Sequence, residues 1–194
     1  MIIVGASSAG KETSGIFMKQ CSDDIIFFDD DAKCSDLIWN KFIVVKTEEK
    51  LVEKLTINPE FCIAIGNPRL RKKMFDRMIG LGGVPKNIIA QSYNSLSIIK
   101  ETASILQPGV TISFDVKFGN SCFIHANTVI GHEVIIGDFV NISPLCSIVG
   151  PCKIGNETYI GASSIIYPNL KIGKNVFIPA GSRVNRDVKD FGTF

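Results

Sequence analysis

The feature that most constrains this chain is an aliphatic or aromatic residue that returns at every sixth position, without a break, from Leu106 to Val184. Two residues before each of these stands a second column of small or mostly β-branched residues, which runs from Ser104 to Ser182. A period of six fits neither an α-helix, whose faces recur every 3.6 residues, nor a strand, whose faces alternate every two. It is the period of hexapeptide repeats, and it predicts a parallel β-helix.

Three six-residue sides make one coil of 18 residues, so the repeat corresponds to about 4.3 coils, with positions 18 apart stacked at about 4.8 Å. Stacked coils bury a ladder of side chains that no single coil could bury. The residue after the repeated position is glycine six times: Gly119, Gly131, Gly137, Gly155, Gly161 and Gly173. At these corners we expect a side chain to clash or to force a positive φ. The series has no insertion, so any site must use coil faces and corners.

The charge and hydropathy of the chain argue against several kinds of partner. Its 194 residues include 21 basic and 19 acidic ones, and no basic run is long enough to suggest nucleic acid or an anionic membrane. The apolar runs have the length of strands, far below the roughly 20 residues that span a bilayer, and Met1 leads into a strand rather than a signal peptide. We therefore expect a soluble cytoplasmic protein.

The cysteines and histidines argue against a metal. Cys122, Cys146 and Cys152 fall in the inward column of small residues and are expected to fill the core. Cys21, Cys34 and Cys62 show no pair at metal-ligand spacing, so all six cysteines are interpreted as reduced thiols. The chain has two histidines, whereas a β-helix carbonic anhydrase needs three for its zinc.

The first ninety residues alternate apolar strands with helical segments, which predicts a small α/β domain with a parallel sheet. Asn67 is expected to cap the third helix, with Pro68 at its first helical position, and most of the basic residues of that helix are expected to face solvent. The predicted domains are 1–95 and 96–194. Strands are predicted at 1–5, 25–28, 42–45, 61–65 and 88–90, and helices at 11–20, 47–55 and 68–81.

The turn after the first predicted strand is a candidate nucleotide site. Gly5 and Gly10 flank this turn, and Asp29, Asp30 and Asp31 follow the second strand, near where a Rossmann-like unit places an acid that meets a ribose hydroxyl. The two glycines do not complete the G-x-G-x-x-G pattern, so a dinucleotide is less favoured than part of a mononucleotide. A purely structural turn is an equal alternative.

Both histidines lie in the repeat. His132 follows Gly131 at a predicted corner and precedes Glu133, so its side chain is expected to project outward. An imidazole can accept a proton near neutral pH, and a neighbouring carboxylate can fix its tautomer. An inert surface histidine is the more common alternative. His125, one residue after Ile124, is interpreted as a corner histidine whose ring is hydrogen-bonded to backbone.

Four segments together resemble a known family, the bacterial sugar acetyltransferases. They are IIVGA at 2–6 with Gly10, FDDD at 28–31, AIGN at 64–67 with Arg71, and GHEVIIGD at 131–138 followed by the hexapeptides. The family includes UDP-4-amino-sugar N-acetyltransferases, perosamine N-acetyltransferases and sialic acid O-acetyltransferases. The resemblance implies a Rossmann-like domain that holds a nucleotide sugar and a left-handed β-helix that holds acetyl-CoA. It also implies a homotrimer with active sites between subunits.

The resemblance also assigns roles to residues. His132 matches the general base and Glu133 the acid that orients it, and a backbone amide of the coil is expected to meet the oxyanion. Ala9 and Asn141 stand where members of the family commonly carry histidines. The residues that match the acetyl-CoA groove are Gly150, Gly155, Gly161, Ala162, Pro168, Ala180, Gly181 and Arg183. The residues that match the nucleotide-sugar positions are Gly5, Ala6, Ser7, Ser8, Asp29, Asp30 and Gly66.

The function that this resemblance implies is acetyl-CoA-dependent N-acetylation of a nucleotide-linked amino sugar, in the assembly of a surface glycan or glycoprotein. One alternative is O-acetylation of a sugar hydroxyl, because the same base serves both reactions. The other is a non-catalytic trimeric scaffold that binds a nucleotide sugar, which the replacements at Ala9 and Asn141 motivate. No metal is expected in any of these readings.

Overall fold

The computed structural model describes residues 1–19, 25–31 and 33–194, so Cys21 and the predicted end of the first helix at Gln20 lie outside the described residues. The N-terminal domain contains most of the predicted elements, with ends that differ by a few residues. Its elements are β1 (Ile2–Val4), α1 (Ser8–Met18), β2 (Ile26–Phe28), β3 (Leu37–Ile38), β4 (Phe42–Val45), α2 (Glu48–Ile57), β5 (Glu60–Ile63), α3 (Pro68–Gly80) and β6 (Val84–Pro85).

The sheet of this domain has the strand order β3-β4-β2-β1-β5-β6 and is parallel except for the β3–β4 hairpin. Successive side chains of a strand point to opposite faces. One face therefore packs Ile3 and Phe27 against α1, while the other packs Ile2 and Ile63 against α2 and α3. The chain moves to one side of β1 through β2 and β4 and then to the other side through β5, which makes the carboxyl end of β1 the topological switch point.

Two local predictions in this domain are confirmed and one is incomplete. The side chain of Asn67 accepts a hydrogen bond from the N–H of Leu70 at 3.0 Å, and Pro68 begins α3. The basic face of α3 is not wholly exposed to solvent, because Arg71 is fully buried. Arg77 is also paired, with Asp30 and Glu48.

The second half of the chain is the predicted β-helix. Pairs of strands are related by 18 residues, as in Thr111 with Val129 and Ile135 with Lys153, so each coil stacks on the one before it. Its strands are β7 (Ile88–Ile89), β8 (Asn94–Ser95), β9 (Ile105–Leu106), β10 (Thr111–Ile112), β11 (Lys117–Phe118), β12 (Phe123–Ile124), β13 (Val129–Ile130), β14 (Ile135–Ile136), β15 (Asn141–Ile142), β16 (Ser147–Ile148), β17 (Lys153–Ile154), β18 (Tyr159–Ile160), β19 (Ile165–Ile166), β20 (Lys171–Ile172), β21 (Phe177–Ile178) and β22 (Arg183–Val184).

The core of the β-helix is the predicted ladder. The repeated aliphatic column and the column of small residues form one buried cluster, with Phe118 and Leu170 partly buried at its margin. The predicted inward cysteines are buried, and their thiols donate to carbonyls of the next coil; the distance from Cys122 Sγ to the oxygen of Gly137 is 3.2 Å. Burial raises the pKa of Cys122 to about 12, so this thiol is neutral.

The expectation about the corner glycines was half right. A Cβ at Gly119, Gly155 or Gly161 would lie 2.4–2.5 Å from backbone of the next coil, so these positions require glycine for close approach. They do not have positive φ. In the β-helix, positive φ occurs instead at thirteen of the fourteen positions that lie three residues before a repeated residue, as at Asn127; the remaining position is Pro151. Asparagine, aspartate and glycine tolerate the left-handed region best.

The predicted strand at 88–90 does not join the N-terminal sheet. β7 pairs with β9 and β8 pairs with β10, so both strands extend the β-helix, and the edge of the N-terminal sheet is β6. Tertiary packing explains this difference, because Ile88 is buried between the two domains, in a cluster that contains Ile3 and Phe123. A short apolar run carries no signal that distinguishes these two partners.

Arg71 fixes the N-terminal domain to the β-helix. Its guanidinium donates to the carbonyl of Ile65 at 2.6 Å, to that of Ser121 at 2.8 Å and to that of Phe139 at 2.8 Å, with a longer bond of 3.1 Å to Gly66. These contacts join the turn after β5 to two successive coils. Burial lowers the pKa of Arg71 to about 10, which still leaves it charged at neutral pH.

The β-helix has three faces, which we name by what they carry. On the interdomain face (β7, β9, β12, β15, β18, β21), the outward residues Ile105 and Phe123 are buried and pack with the N-terminal domain. The lysine face (β11, β14, β17, β20) carries three outward lysines, and the neutral face (β8, β10, β13, β16, β19, β22) carries none. The outward residues of the lysine face are Lys117, Ile135, Lys153 and Lys171, and those of the neutral face include Thr111, Val129, Ser147, Ile165 and, at the last coil, Arg183.

Candidate active site

The edge between the neutral and lysine faces carries the predicted base, and we call it the histidine edge. It is a column of residues 18 apart: Phe114, His132, Gly150, Pro168 and Arg186. His132 Nδ1 lies 2.9 Å from Glu133 Oε2, and the His132 side chain is 44% exposed. Because a carboxylate can only accept, this contact assigns the proton to Nδ1 and leaves the lone pair of Nε2 as the base. The His–Glu pair therefore has the geometry of a general base and its orienting acid.

Phe114 holds this pair from the coil below. Its ring stacks on the imidazole of His132, with centroids 5.3 Å apart and planes 10° apart, and its carbonyl accepts the N–H of Glu133 at 3.0 Å. Glu133 itself has a φ of 56°, as the equivalent residues of most corners do. The sequence interpretation did not identify Phe114, although its place 18 residues before His132 marks it as the stacked neighbour.

Gly150 lies directly above His132. A Cβ at position 150 would be 1.7 Å from the carbonyl oxygen of His132 and 2.9 Å from its nitrogen, so no side chain fits there without moving the histidine. This close contact explains why position 150 is glycine, independently of any role in the predicted coenzyme groove. Pro168 continues the same edge and is exposed.

The other predicted coenzyme residues lie elsewhere in the single chain. Gly161, Ala162, Ala180 and Gly181 lie on the edge between the interdomain and neutral faces, which we call the small-residue edge. Arg183 lies on the neutral face, between that edge and the histidine edge. Gly155 lies on the third edge, away from both. A single protomer therefore does not bring this set together.

The predicted nucleotide residues border a cleft at the carboxyl ends of β1, β2 and β5. This cleft has a volume of about 240 Å³, and its lining includes Gly5, Ser7, Asp29, Asp30 and Gly66. It lies at the topological switch point, where open α/β sheets bind their ligands. Ala6 and Ser8 are next to lining residues but do not line the cleft themselves.

The two predicted acids also have structural partners. Asp29 Oδ2 accepts the N–H of Ala6 at 2.9 Å, which fixes the turn after β1, and Asp30 Oδ2 lies 2.6 Å from Arg77 Nη1. Gly5 has a φ of 99°, and a Cβ at Gly10 would be 2.0 Å from the carbonyl oxygen of Gly5. Backbone geometry therefore explains why both positions are glycine, in addition to the predicted ligand-binding role of Gly5.

A second cavity, of about 560 Å³, lies between the N-terminus of α3 and the interdomain face. Gly66, which also lines the first cleft, belongs to it, and so do Arg69, Tyr159, Asn175 and Phe177. Tyr159 and Phe177 are stacked with ring centroids 5.6 Å apart, and Arg69 Nε donates to Asn175 Oδ1 at 3.1 Å. The two cavities share Gly66, and the second one extends from it towards the β-helix. The sequence interpretation did not identify this aromatic pair.

The interpretation of the His125 ring as bonded to backbone is wrong. His125 stacks on Phe123, with centroids 4.1 Å apart, and its Nε2 lies 3.4 Å from Asn141 Oδ1. The polar contacts continue from Asn141 to Ser143 and from Ser143 to Tyr159, at 3.5 and 3.2 Å. Burial lowers the pKa of His125, so its ring is neutral at pH 7. Asn141, noted in the sequence as a replaced histidine, is thus in contact with a histidine from the preceding coil.

Two further observations concern metals and membranes. Among residues 1–19, 25–31 and 33–194, no three His, Cys, Asp or Glu side chains are grouped so that they could hold a metal ion. Over the same residues, none of the helices has the length and apolar character needed to cross a bilayer.

Comparison with known proteins links this fold to sugar acetyltransferases. A family model described as the PglD N-terminal domain matches residues 1–78, and one described as bacterial transferase hexapeptide (six repeats) matches residues 151–186. The chain is 29% identical over 176 residues to a GDP-perosamine N-acetyltransferase of Escherichia coli O157:H7, a match that covers 84% of this chain and 76% of that relative.

Two solved structures share the fold over nearly the whole chain. The acetyltransferase domain of PglB from Neisseria gonorrhoeae superposes with a TM-score of 0.88 at 24% identity, over 99% of this chain and 94% of that one. PerB from Caulobacter crescentus, solved in complex with CoA and GDP-perosamine, superposes with a TM-score of 0.84 at 21% identity, over 97% and 90% of the two chains.

A Rossmann-like domain followed by a left-handed β-helix of hexapeptide repeats places the chain in the class of hexapeptide acyltransferases. The predicted fold is therefore confirmed. Within this class, the chain is similar over most of its length to the bacterial sugar acetyltransferases that its sequence resembles, and it is an acetyltransferase.

Proposed function

We propose that this protein transfers an acetyl group from acetyl-CoA to the amine of a nucleotide-linked amino sugar, with His132 as the general base. The observation that carries the proposal is the His132–Glu133 pair, held on an exposed edge with Nε2 free of the carboxylate contact. The match to a GDP-perosamine N-acetyltransferase along most of both chains supports an amino sugar as the acceptor. The cleft at the carboxyl ends of the strands supports a nucleotide as its carrier.

A homotrimer is part of the proposal, because the faces of the β-helix differ in what they can pack against. The interdomain face is partly covered, and the lysine face places Lys153 directly beside Lys171, which opposes packing against an identical face. The neutral face carries Thr111, Val129, Ser147 and Ile165 and is free of charge until Arg183 at its last coil. We infer that three neutral faces meet around a threefold axis, since a ring closes such contacts.

This packing would join two edges that a single chain keeps apart. Around a threefold axis, the histidine edge of one protomer lies beside the small-residue edge of the next. The predicted coenzyme residues Gly150 and Pro168 on the first edge would then face Gly161, Ala162 and Ala180 on the second. Such a groove, lined by small residues, suits the extended pantetheine arm of acetyl-CoA. Gly155, on the third edge, stays outside this groove, so we assign it to coil packing.

In the proposed reaction, the amine nitrogen of the sugar attacks the thioester carbonyl carbon. The C–N bond forms, the proton of the amine passes to His132 Nε2, and the C–S bond breaks to release CoA, whose thiolate takes up a proton. Glu133 stabilises the imidazolium by its contact with Nδ1. General base catalysis of this kind contributes about 10² to 10⁴ in rate. A backbone N–H of the coil is the proposed oxyanion donor, since it is held rigidly before the reaction begins.

The test is release of free CoA from acetyl-CoA with a panel of UDP-, dTDP- and GDP-linked amino sugars. We expect His132→Ala to reduce kcat by about 10² to 10⁴. Lys174→Ala is the matched control, because Lys174 holds the same corner position on a different edge. Full activity in His132→Ala would exclude this histidine as the base.

Two further measurements separate the alternatives. O-acetylation gives an ester, which mild alkali cleaves, whereas an N-acetyl amide survives, so mass spectrometry before and after alkali identifies the bond. A non-catalytic scaffold has no need of the acetyl donor. Binding of acetyl-CoA in calorimetry without CoA release from any amino sugar of the panel would favour another acceptor, and absence of binding would favour the scaffold.

A further inference from the structure

We propose that His125 is a substrate-binding residue, and that it completes the site of the neighbouring protomer's His132 rather than acting beside the His132 of its own chain. The inference rests on the proposed function and on its trimer. The structure contributes three observations: where the two histidines lie on the coil, what holds the His125 ring, and where its polar contacts lead.

The two histidines lie at the same height on opposite edges of one face. His125 follows β12 and His132 follows β13, so a single short strand of the neutral face separates them. His125 therefore lies on the small-residue edge and His132 on the histidine edge of the same coil. Within one protomer, the neutral face separates the two histidines.

Rotation about a threefold axis parallel to the prism keeps this height. The histidine edge of one protomer then lies beside the small-residue edge of the next, at the level of the same coil. The groove between them opens outward between the lysine face of one protomer and the interdomain face of its neighbour. His132 lies at the mouth on one wall, and His125, whose ring rests on Phe123 of the interdomain face, lies on the other.

The surroundings of His125 suit recognition of a hydrogen-bond donor. Because Nε2 faces the carbonyl oxygen of the Asn141 side chain, Nδ1 is the acceptor nitrogen of the ring. Asn141 and Ser143 are 1% and 5% exposed, so they support the imidazole from beneath, while His125 and Tyr159 remain partly exposed. The ring is neutral at pH 7 because burial lowers its pKa, which keeps Nδ1 available to accept.

The same contacts connect His125 to the proposed nucleotide-sugar cavity. The line from Asn141 through Ser143 ends at Tyr159, which lines the 560 Å³ cavity beside Gly66. A sugar whose nucleotide occupies the N-terminal domain would therefore cross this polar line before it reaches the neighbour's base. We assign to His125 Nδ1 a hydrogen bond from an amine or hydroxyl of that sugar, which fixes the nucleophile for attack.

The experiment is subunit complementation between His132→Ala and His125→Phe. Phenylalanine keeps the stacking on Phe123 but removes both ring nitrogens, and His125→Leu, which also has no hydrogen-bonding atom in its side chain, is the second variant should His125→Phe fail to fold. Each variant alone is expected to lose at least tenfold in kcat/KM for the sugar, with a trimeric mass and an unchanged circular dichroism spectrum. In an equal random mixture, about one quarter of the sites combine an intact His132 with an intact His125 from the neighbour.

We therefore expect the mixture to recover about a quarter of wild-type activity. The control is an equal mixture of wild type with the double variant His125→Phe/His132→Ala. This mixture keeps about a quarter of wild-type activity if the two histidines of a site come from different protomers, and about a half if they come from the same protomer. No recovery in the first mixture, together with a half in the control, would overturn the neighbour arrangement.

The outcomes also separate this inference from the proposed function. An active His125→Phe variant beside an inactive His132→Ala variant would refute the role of His125 and leave the base intact. An active His132→Ala variant would refute the proposed base itself, whatever the mixtures show.

Discussion

Substitution of Gly150 by alanine tests whether the stacked coil holds His132 in its reacting position. The added Cβ would lie 1.7 Å from the carbonyl oxygen of His132, whereas side-chain contacts under 3.0 Å are essentially never seen. The two coils must therefore separate at this edge by at least about 1.3 Å, because a close-packed interior cannot absorb the overlap. A displacement of about 1 Å at a reacting group costs roughly 10²-fold in rate.

We therefore expect Gly150→Ala to lower kcat by about 10²-fold at saturating acetyl-CoA, and to reduce the free energy of unfolding by roughly 1–3 kcal/mol. Gly173→Ala is the matched control, since its Cβ would lie 2.5 Å from the nitrogen of Asp190 on a different edge. The control should lose comparable stability and keep its kcat. Steady-state CoA release and urea denaturation measure the two effects.

Equal kcat in the two variants would refute the reasoning. It would mean that the histidine edge yields without moving His132, or that His132 is not at the reacting centre. A loss of kcat in both variants, proportional to their loss of stability, would show that kcat falls because the β-helix as a whole is destabilised, and not because His132 is displaced.

Three further predictions concern the supports of the site. Phe114→Leu should lower kcat roughly 2- to 10-fold with KM unchanged, because a stacked ring contributes about 0.5–1.5 kcal/mol. Phe114→Tyr should keep the wild-type kcat, and steady-state kinetics measure both variants. A Leu variant as active as the Tyr variant would contradict a role for stacking. Arg71→Met should lower the free energy of unfolding, measured in urea, by about 3 kcal/mol or more, because buried carbonyls lose a charged donor. Arg69→Met is the control and should change it by less than about 1 kcal/mol, because Arg69 is exposed. Similar losses in the two variants would contradict the anchoring role of Arg71. Burial lowers the pKa of His125 in the folded chain, so the unfolded chain binds the proton first as pH falls below about 6.5 and stability falls with it. His125→Asn should flatten this decline in urea midpoints between pH 7 and 5, and an unchanged slope would contradict the assignment.

Much of the local structure could be predicted from the sequence because its signals are periodic or chemical. The six-residue ladder from Leu106 to Val184 left one architecture that buries every repeated side chain. The cap Asn67-Pro68 placed the start of α3 to the residue. The corner between Gly131 and Glu133 placed the candidate base on an outward edge, as the structure shows.

Pairings between distant segments could not be predicted in the same way. The run at Ile88 is equally suited to either sheet, and only the cluster around Ile3 and Phe123 assigns it to the β-helix. Arg71 appeared to be one of several solvated basic residues, because its four carbonyl partners come from turns in both domains. The support of His132 by Phe114 and Gly150 depends on stacking at a distance of 18 residues, which the repeat predicts in general but not for a particular contact.

The sequence by itself determined the coil, its corners, the α/β domain before it and the edge that carries His132, because each of these follows from local periodicity and residue type. The tertiary structure decided how the domains join through Arg71, which side chains hold His132, and that His125 and Asn141 share a polar line leading to Tyr159. The physical reason is that spacing along the chain fixes which way a side chain points, whereas its partners depend on which coil and which domain come to lie against it.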